Sequence, residues 1–306
     1  MAKAINYLLD MKRLPLVLLF VAVGTFLAFR TLGTEKAGPP SKYERILQNV
    51  GEMLIQGHYS PKDINDDFSR KVYAKYFEEL DADKNVFLAA DLKSLSRFDS
   101  KLDDEIKGAP VQFFMEVGKL FNQRAAELVP LYKEILSKPF DFTVTETHIS
   151  DAKKLAFSDN TAERKERWRK RLKYLTLERY VDLLNKQDKN KSKADYKVKT
   201  EAELQTEARA EVMKIMDRYF ERLRVKGTDD EYFNKYVNTV TSIMDPYTEF
   251  FPPVDKRYFD EQLSGQFAGI GASLQYDEGN IKVASILSGY PAWKSQQIEV
   301  GDVIVK

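Results

Sequence analysis

The stretch Gly269-Ile270-Gly271-Ala272, followed further on by Val300-Gly301-Asp302-Val303-Ile304-Val305, decides the fold of this part of the chain. Glycines inside a strand cost stability unless another backbone must come close to them. The glycine pair therefore predicts a loop that a second chain can approach. The same stretch predicts, in order, a strand, a hairpin turn, a returning strand and a turn into a short helix, at residues 267–276, 277–280, 281–287 and 288–294.

This order of elements, with Gly289-Tyr290-Pro291-Ala292 as the turn into the short helix, resembles a PDZ domain. The resemblance implies that a peptide pairs with the strand after the glycine loop and that Ile270 and Leu274 line the pocket for its side chain. It also implies a cradle of backbone N–H groups for the terminal carboxylate, at Gly269, Ile270, Gly271 and Ala272. On the residues alone, the alternative is a bulged β-hairpin that binds nothing.

Composition limits the classes of function. The chain has 306 residues, enough for two or three domains, and 43% of them are apolar. Basic and acidic residues nearly cancel at a net charge of +1, so no overall field points to nucleic acid. The chain has no cysteine, which excludes thiol nucleophiles, thiolate metal sites and disulfides. We expect no metal, no cofactor and no nucleic-acid partner.

The first 33 residues have the pattern of a targeting segment. Lys3, Lys12 and Arg13 precede residues 14–29, which carry no charge. A basic region before an apolar stretch is typical of a signal peptide or of an uncleaved anchor in the inner membrane, and both remain open here. Residues 34–40 form a polar linker. We therefore expect the rest of the protein to lie outside the cytoplasm.

Residues 41–244 show helical spacing of apolar side chains and no strand pattern, so they predict a multi-helix domain. The expected fold is mainly α, with a linking segment at 245–265 and a partial, PDZ-like β region at 266–306. The expected helices are at 43–54, from Ser60-Pro61 to 80, at 110–136, 161–186, 201–225 and 229–244. We expect the charged run 163–173 to be a solvated helix face, with Trp168 toward the core, and 188–199 to be a mobile loop.

Two patterns suggest chemistry but lack essential parts. Asp81, Asp83 and Asn85 match the first ligands of a calcium loop, but the positions of its glycine and closing glutamate hold Val86 and Leu92. We expect a turn that links helices.

Ser150 and Lys153 have the spacing of a serine and its lysine base, but Ser150 is predicted to cap a helix. The sequence offers no convincing catalytic residue.

Four stretches resemble the C-terminal-processing peptidases of the tail-specific type, and the resemblance extends from Ser41 to the last residue. They are Leu80 to Leu88 with Asp91-Leu92, Trp168-Arg169-Lys170-Arg171-Leu172-Lys173, Asp245 to Pro253, and Phe267 to Lys306. The third is similar to the Asp-Pro-x-Thr-x-Tyr-x-x-Pro segment that precedes the PDZ domain in that family. The fourth is similar to the first half of that domain.

The resemblance implies a periplasmic serine endopeptidase that captures apolar protein C-termini with its PDZ domain and cleaves with a serine–lysine dyad downstream. A lipoprotein adaptor is also compatible with it. We expect the chain to stop inside the PDZ domain, and so to be inactive by itself and to bind tails weakly. The competing interpretation is a membrane-tethered helical scaffold with a PDZ-like peptide-binding module and no catalysis. A reading frame that continues past Lys306 with a serine and a lysine would distinguish the two.

Overall fold

The computed structural model of this chain describes residues 41–193, 195–252, 256, 259–260, 263–264, 269–277 and 280–305. The predicted targeting segment at 1–33 and the linker at 34–40 lie outside those residues. No helix among the described residues is both long and apolar enough to cross a membrane. The chain divides into two compact units between Met244 and Asp245.

The first unit is helical, and the prediction of a mainly α chain with a small β region is confirmed. Side-chain caps begin several of its helices, because the first N–H groups of a helix have no partner within it. Its described residues contain α1 (Lys42–Gln56), α2 (Asp66–Leu80), α3 (Ala89–Leu95), α4 (Leu102–Ile106), α5 (Phe113–Leu136), α6 (Thr161–Asn190), α7 (Glu201–Lys226) and α8 (Asp229–Met244).

An aromatic cluster around Phe113, the first residue of α5, forms the core of this unit. The side chain of Phe113 is fully buried. Five other rings have their centroids between 5.1 and 6.2 Å from its own: Tyr73, Tyr76, Phe77, Phe98 and Tyr236. Tilted and edge-to-face pairs of this kind add to the hydrophobic effect of burial. The cluster joins α2, α5 and α8 into one core.

The side-chain carboxylate of Asp81 closes the turn between α2 and α3. The Asp81 oxygens accept the backbone N–H groups of Asn85, Val86 and Phe87, each at 2.9 Å. Burial raises the pKa of Asp81, and these three N–H groups oppose that rise. From α6, Nε1 of Trp168 donates to the carbonyl of Asn85 at 2.9 Å, and Trp168 is buried as predicted. The residues that resemble a calcium loop therefore form a turn whose carboxylate binds backbone.

The prediction of a solvated face at 163–173 was wrong for Lys173 and Arg164, which are both buried, and Arg164 lies against this turn. That side chain is 4% exposed. Its guanidinium donates to the carbonyl of Val86 at 2.7 Å and to the carboxylate of Glu127 at 2.7 Å. The sequence shows a run of charges, but it does not show which carbonyls of a distant turn need a donor.

A chain of paired charges continues from Arg164 into the body of the unit. Arg124 donates to both carboxylate oxygens of the buried Asp91, at 2.7 and 2.9 Å, and also to Glu127. Partial burial alone would raise the pKa of Glu127, but the hydrogen bond from Arg164 and the two guanidinium charges hold it below its usual value. Each of these charges thus has an opposite partner, as buried ions require.

Several local predictions were wrong, among them the start of α5, which is Phe113 rather than Pro110. Helix α2 begins at Asp66 rather than at Ser60-Pro61, because the side chain of Asn65 accepts the N–H groups of Asp67 and Phe68. Helix α6 extends to Asn190, four residues beyond the predicted end.

The residue that caps a helical turn near position 150 is Asp151, not Ser150. The Asp151 carboxylate accepts the N–H of Lys153 at the start of the 3-10 turn Ala152–Lys154. A short polar side chain two residues ahead of a free N–H is enough to form such a cap, so neighbouring candidates are hard to separate by sequence.

The irregular segment before α6 is fixed by Glu146, which gives a pH-dependent prediction. Its carboxylate pairs with Arg169 and, at 2.6 Å, with Nζ of Lys173. Arg169 first and Lys173 second lower the pKa of Glu146 from 4.5 to about 2. Because the folded pKa lies below the unfolded one, the stabilisation is present above about pH 4.5 and is lost as the pH falls toward 2.

We expect Glu146→Gln to lower the urea midpoint of helical circular dichroism at pH 7, and the gap from the unchanged protein to close as the pH falls from 5 to about 2. Glu134→Gln is the control, since Glu134 pairs with Lys165 at the surface with both side chains half exposed. A gap that stays constant over this pH range would contradict the assignment.

The second unit contains a three-stranded antiparallel sheet in the order β1 (Ala272–Asp277), β2 (Asn280–Ile286) and β3 (Val303–Ile304), and the short helix α9 (Pro291–Ser295). A bulge interrupts the β1–β2 register after Ser273. Paired residues share a face, because the side-chain period of a strand is two. One face is therefore apolar, with the pairs Leu274–Val283, Tyr276–Ile281 and Ile281–Ile304. In the described residues, the outer edge of β1 pairs with no strand.

Candidate functional site

The predicted carboxylate loop, residues 269–272, leads directly into β1. Gly271 has a φ of +76°, which favours glycine. A Cβ atom built on Gly271 would lie 2.1 Å from Cβ of Tyr290, a distance that real atoms do not tolerate. At Gly269, by contrast, a Cβ would meet no atom of the described part of the chain within 4 Å. Only the second glycine is therefore required by the packing of the loop.

Two carbonyls of the loop are fixed by N–H groups from the turn before α9 and from the first turn of α9. The carbonyl of Ile270 accepts the N–H of Ala292 at 2.8 Å, and the carbonyl of Gly271 accepts the N–H of Leu287 at 2.7 Å. In a trans peptide the C=O of one residue and the N–H of the next point in opposite directions. The N–H of Gly271 therefore points away from Ala292, and the N–H of Ala272 points away from Leu287.

Within the described part of the chain, three backbone N–H groups of this loop have no hydrogen-bond partner. They belong to Gly269, Ile270 and Gly271, none of which donates a hydrogen bond to another described residue. Successive free N–H groups form a positive concavity that suits an anion. The assignment of residues 269–272 to a terminal carboxylate stays a prediction.

The neighbouring strand offers its outer edge to a peptide. Because Gly271 turns its carbonyl toward Leu287, beyond the end of β2, the N–H of Ala272 faces the outer side of β1. An extended peptide could add there as a further strand. The side chains of Ile270 and Leu274, which we predicted to line the side-chain pocket, are each 52% exposed. Leu274 lies on the apolar face, opposite the buried Val283.

Sequence reasoning missed the residues that shape the loop. Tyr290 packs against Gly271 and is itself 39% exposed, and Ala292 is buried. The sequence Gly-Tyr-Pro-Ala indicates a turn with proline at the first helical position, and Pro291 does begin α9. It does not show that the N–H just after the proline reaches back to the glycine loop.

The described residues contain no cluster of three or more histidine, aspartate or glutamate side chains that could hold a metal ion. His148, one of the two histidines, lies with its ring centroid 5.4 Å from that of Tyr174. Burial first, and then the charge of Arg171, lower the pKa of His148. The glycine loop and the edge of β1 are thus the arrangement with the clearest chemical use.

Comparison with known proteins identifies relatives of this chain. A family model described as the tail specific protease N-terminal domain matches residues 50–254. The tail-specific protease of Haemophilus influenzae is 26% identical over 253 residues, which cover 82% of this chain and 34% of that protein. The carboxy-terminal processing protease CtpA of Bacillus subtilis is 36% identical over 82 residues, 26% of this chain and 17% of that protein. A probable CtpA-like serine protease of Staphylococcus aureus is 39% identical over 67 residues, 22% of this chain and 13% of that protein.

These relatives are all proteases by name, and the Staphylococcus relative is named a serine protease. The family model covers more than half of the chain. The chain therefore belongs to the tail-specific protease family, and its helical unit carries that family's N-terminal domain. It spans about a third of the length of the Haemophilus relative and less of the others.

Proposed function

We propose that this chain is the substrate-recognising part of a serine endopeptidase that binds proteins by their apolar C-termini. In this proposal the second unit acts as a PDZ-type module. The amides of the 269–272 loop hold the terminal carboxylate, the outer edge of β1 pairs with the tail, and Ile270 and Leu274 contact its last side chain. Membership of the tail-specific protease family supports this role.

The observation that carries the proposal is the fixed orientation of two peptide groups. Ala292 and Leu287 bind the carbonyls of Ile270 and Gly271, and so the following N–H groups are turned outward before any ligand arrives. No free energy is then needed to reorient them when a ligand binds. Preorganised donors of this kind bind a carboxylate more strongly than flexible ones.

We further propose that a serine–lysine dyad outside these 306 residues performs the hydrolysis, with the lysine as the base that activates the serine. The names of the relatives and the fraction of them that this chain spans support this division of roles. The 306 residues alone should then cleave no substrate. The basic residues that precede the uncharged stretch 14–29 support a periplasmic location beside the inner membrane. A lipoprotein adaptor remains a proposed partner.

The test is a titration of the 306-residue chain with two labelled peptides that end in the same apolar residues, one with a free carboxylate and one with an amide. We expect weak binding of the free acid, with a dissociation constant of ~1 mM, and a loss of at least about tenfold for the amide. Equal binding of the two peptides, or binding of neither at millimolar concentrations, would contradict recognition of the carboxylate. A chain that binds the acid while its whole gene product hydrolyses nothing would favour the scaffold.

A further inference from the structure

A second surface with its own chemistry lies where α6 passes into α7. We call it the basic tip, and it consists of five exposed lysines, Lys186, Lys189, Lys191, Lys193 and Lys197. From residue 186 to residue 199 the sequence has six lysines and two aspartates, a net charge of +4. The whole chain has a net charge of only +1, so all other residues together sum to −3. Positive charge is therefore concentrated at this end of the α6–α7 pair.

The basic tip is a closed loop rather than a loose tail. The side-chain amide of Gln187 donates to the carbonyl of Lys199 at 3.0 Å, and the N–H of Lys199 donates back to Oε1 of Gln187 at 2.7 Å. Gln187 is buried, so this reciprocal pair fixes the base of the loop. A mobile segment was predicted at 188–199, and that prediction is wrong at residue 199, which is held by Gln187. The lysines are thereby held on one small, defined surface.

Most of the charge of the basic tip is not neutralised within the protein. Lys191 pairs with Asp188 at 3.1 Å, with both side chains more than half exposed. Exposed pairs of this kind exchange readily for other partners. Among the described residues, no hydrogen bond or ion pair engages the ammonium groups of Lys186, Lys189 or Lys197. The tip is therefore free to bind negative charge from outside.

The composition of the tip favours an extended anionic surface over a single bound anion or a nucleic acid. The sequence has no arginine between Arg179 and Arg209. Arginine gives paired, directional hydrogen bonds to phosphate and stacks on bases, whereas lysine acts as a mobile point charge. Val198 is 57% exposed and lies two residues after the half-buried Tyr196. Lysines beside an exposed apolar side chain and a tyrosine suit the interface of a lipid bilayer.

We propose that the basic tip binds the surface of an anionic phospholipid bilayer. The lysine charges attract the headgroups over a distance set by the ionic strength, and Val198 enters the interface. This contact needs neither the glycine loop nor peptidase activity. It would hold one end of the α6–α7 pair against a membrane surface.

The absence of cysteine makes a direct test possible, because one introduced cysteine carries one label. Ser192→Cys places an environment-sensitive fluorophore within the tip of the whole chain, and Ser60→Cys places it in the loop before α2. We expect the probe at 192 to shift to shorter wavelength with vesicles that contain phosphatidylglycerol, and not with pure phosphatidylcholine. The shift should disappear at high salt, and the probe at 60 should not respond to phosphatidylglycerol.

Two matched sets of charge variants distinguish an effect of the basic tip on vesicle binding from an effect of the protein's net charge. Lys186→Gln, Lys189→Gln, Lys193→Gln and Lys197→Gln together should weaken vesicle binding at least about tenfold, measured with the probe at 192. The control removes as many exposed lysines elsewhere, at Lys71, Lys93, Lys101 and Lys119, and should change binding less than about twofold. An equal loss in both variants, no response to phosphatidylglycerol, or a shift with soluble polyglutamate but not with vesicles would each overturn the proposal.

Discussion

Arg164→Ala is expected to lower the free energy of unfolding of the helical unit by about 3–5 kcal/mol. The guanidinium is almost completely buried and satisfies both the carbonyl of Val86 and the carboxylate of Glu127. Its removal leaves a partly buried carboxylate with one guanidinium fewer and a buried carbonyl without a donor. Urea unfolding followed by helical circular dichroism measures the loss, because nearly all described helix belongs to this unit.

Two further variants decide whether the loss comes from the pairing. Lys165→Ala changes the neighbouring residue, whose partner Glu134 is on the surface, and should cost about 0–1 kcal/mol. Arg164→Met combined with Glu127→Gln removes both charges and should cost clearly less than Arg164→Ala. If Arg164→Ala and Lys165→Ala had the same small effect, the role given to Arg164 would be wrong.

Gly271→Ala is expected to weaken binding of a free-acid tail peptide by more than about tenfold, until it is no longer measurable. The new methyl group would meet Cβ of Tyr290 at 2.1 Å, and alanine is strained at the φ of Gly271. The loop must shift, and the hydrogen bonds that orient its peptide groups must shift with it. The titration with free-acid and amide peptides measures the loss.

The other glycine of the loop, Gly269, supplies the control for this variant. A methyl group at Gly269 meets no atom of the described residues within 4 Å, so Gly269→Ala should change peptide binding by less than about threefold. An amide NMR spectrum of each variant reports whether the β1–β2 sheet is still formed. Retention of binding by Gly271→Ala, with the sheet intact, would show that the loop geometry does not set affinity.

Elements fixed by local chemistry could be predicted from the sequence. Helix α8 has the predicted bounds, Asp229–Met244, because Gly227-Thr228 precedes an acidic first turn and Asp245-Pro246 follows the last one. The small helix at Pro291 was anticipated for a similar reason. In each case the residues that begin and end the element lie within one turn of it.

Features that depend on distant partners could not be predicted. Arg164 belongs to a charged run and is nonetheless buried, since its two partners come from the turn before α3 and from α5. The glycine loop was identified as exposed backbone, but the packing of Tyr290 on Gly271 required the structure. Such contacts join segments that are far apart in the sequence, and no periodic pattern of residues predicts which of these segments will meet.

The central claim is that the outward N–H groups of the 269–272 loop receive a C-terminal carboxylate. It is tested most directly by amide chemical shifts of the 306-residue chain during titration with the free-acid tail peptide and its amidated form. We predict that the free acid shifts the amides of Gly271 and Ala272 first, followed by those along β1, and that the amidated peptide leaves the loop amides unchanged. Shifts that avoid this loop, or that are the same for both peptides, would contradict the account.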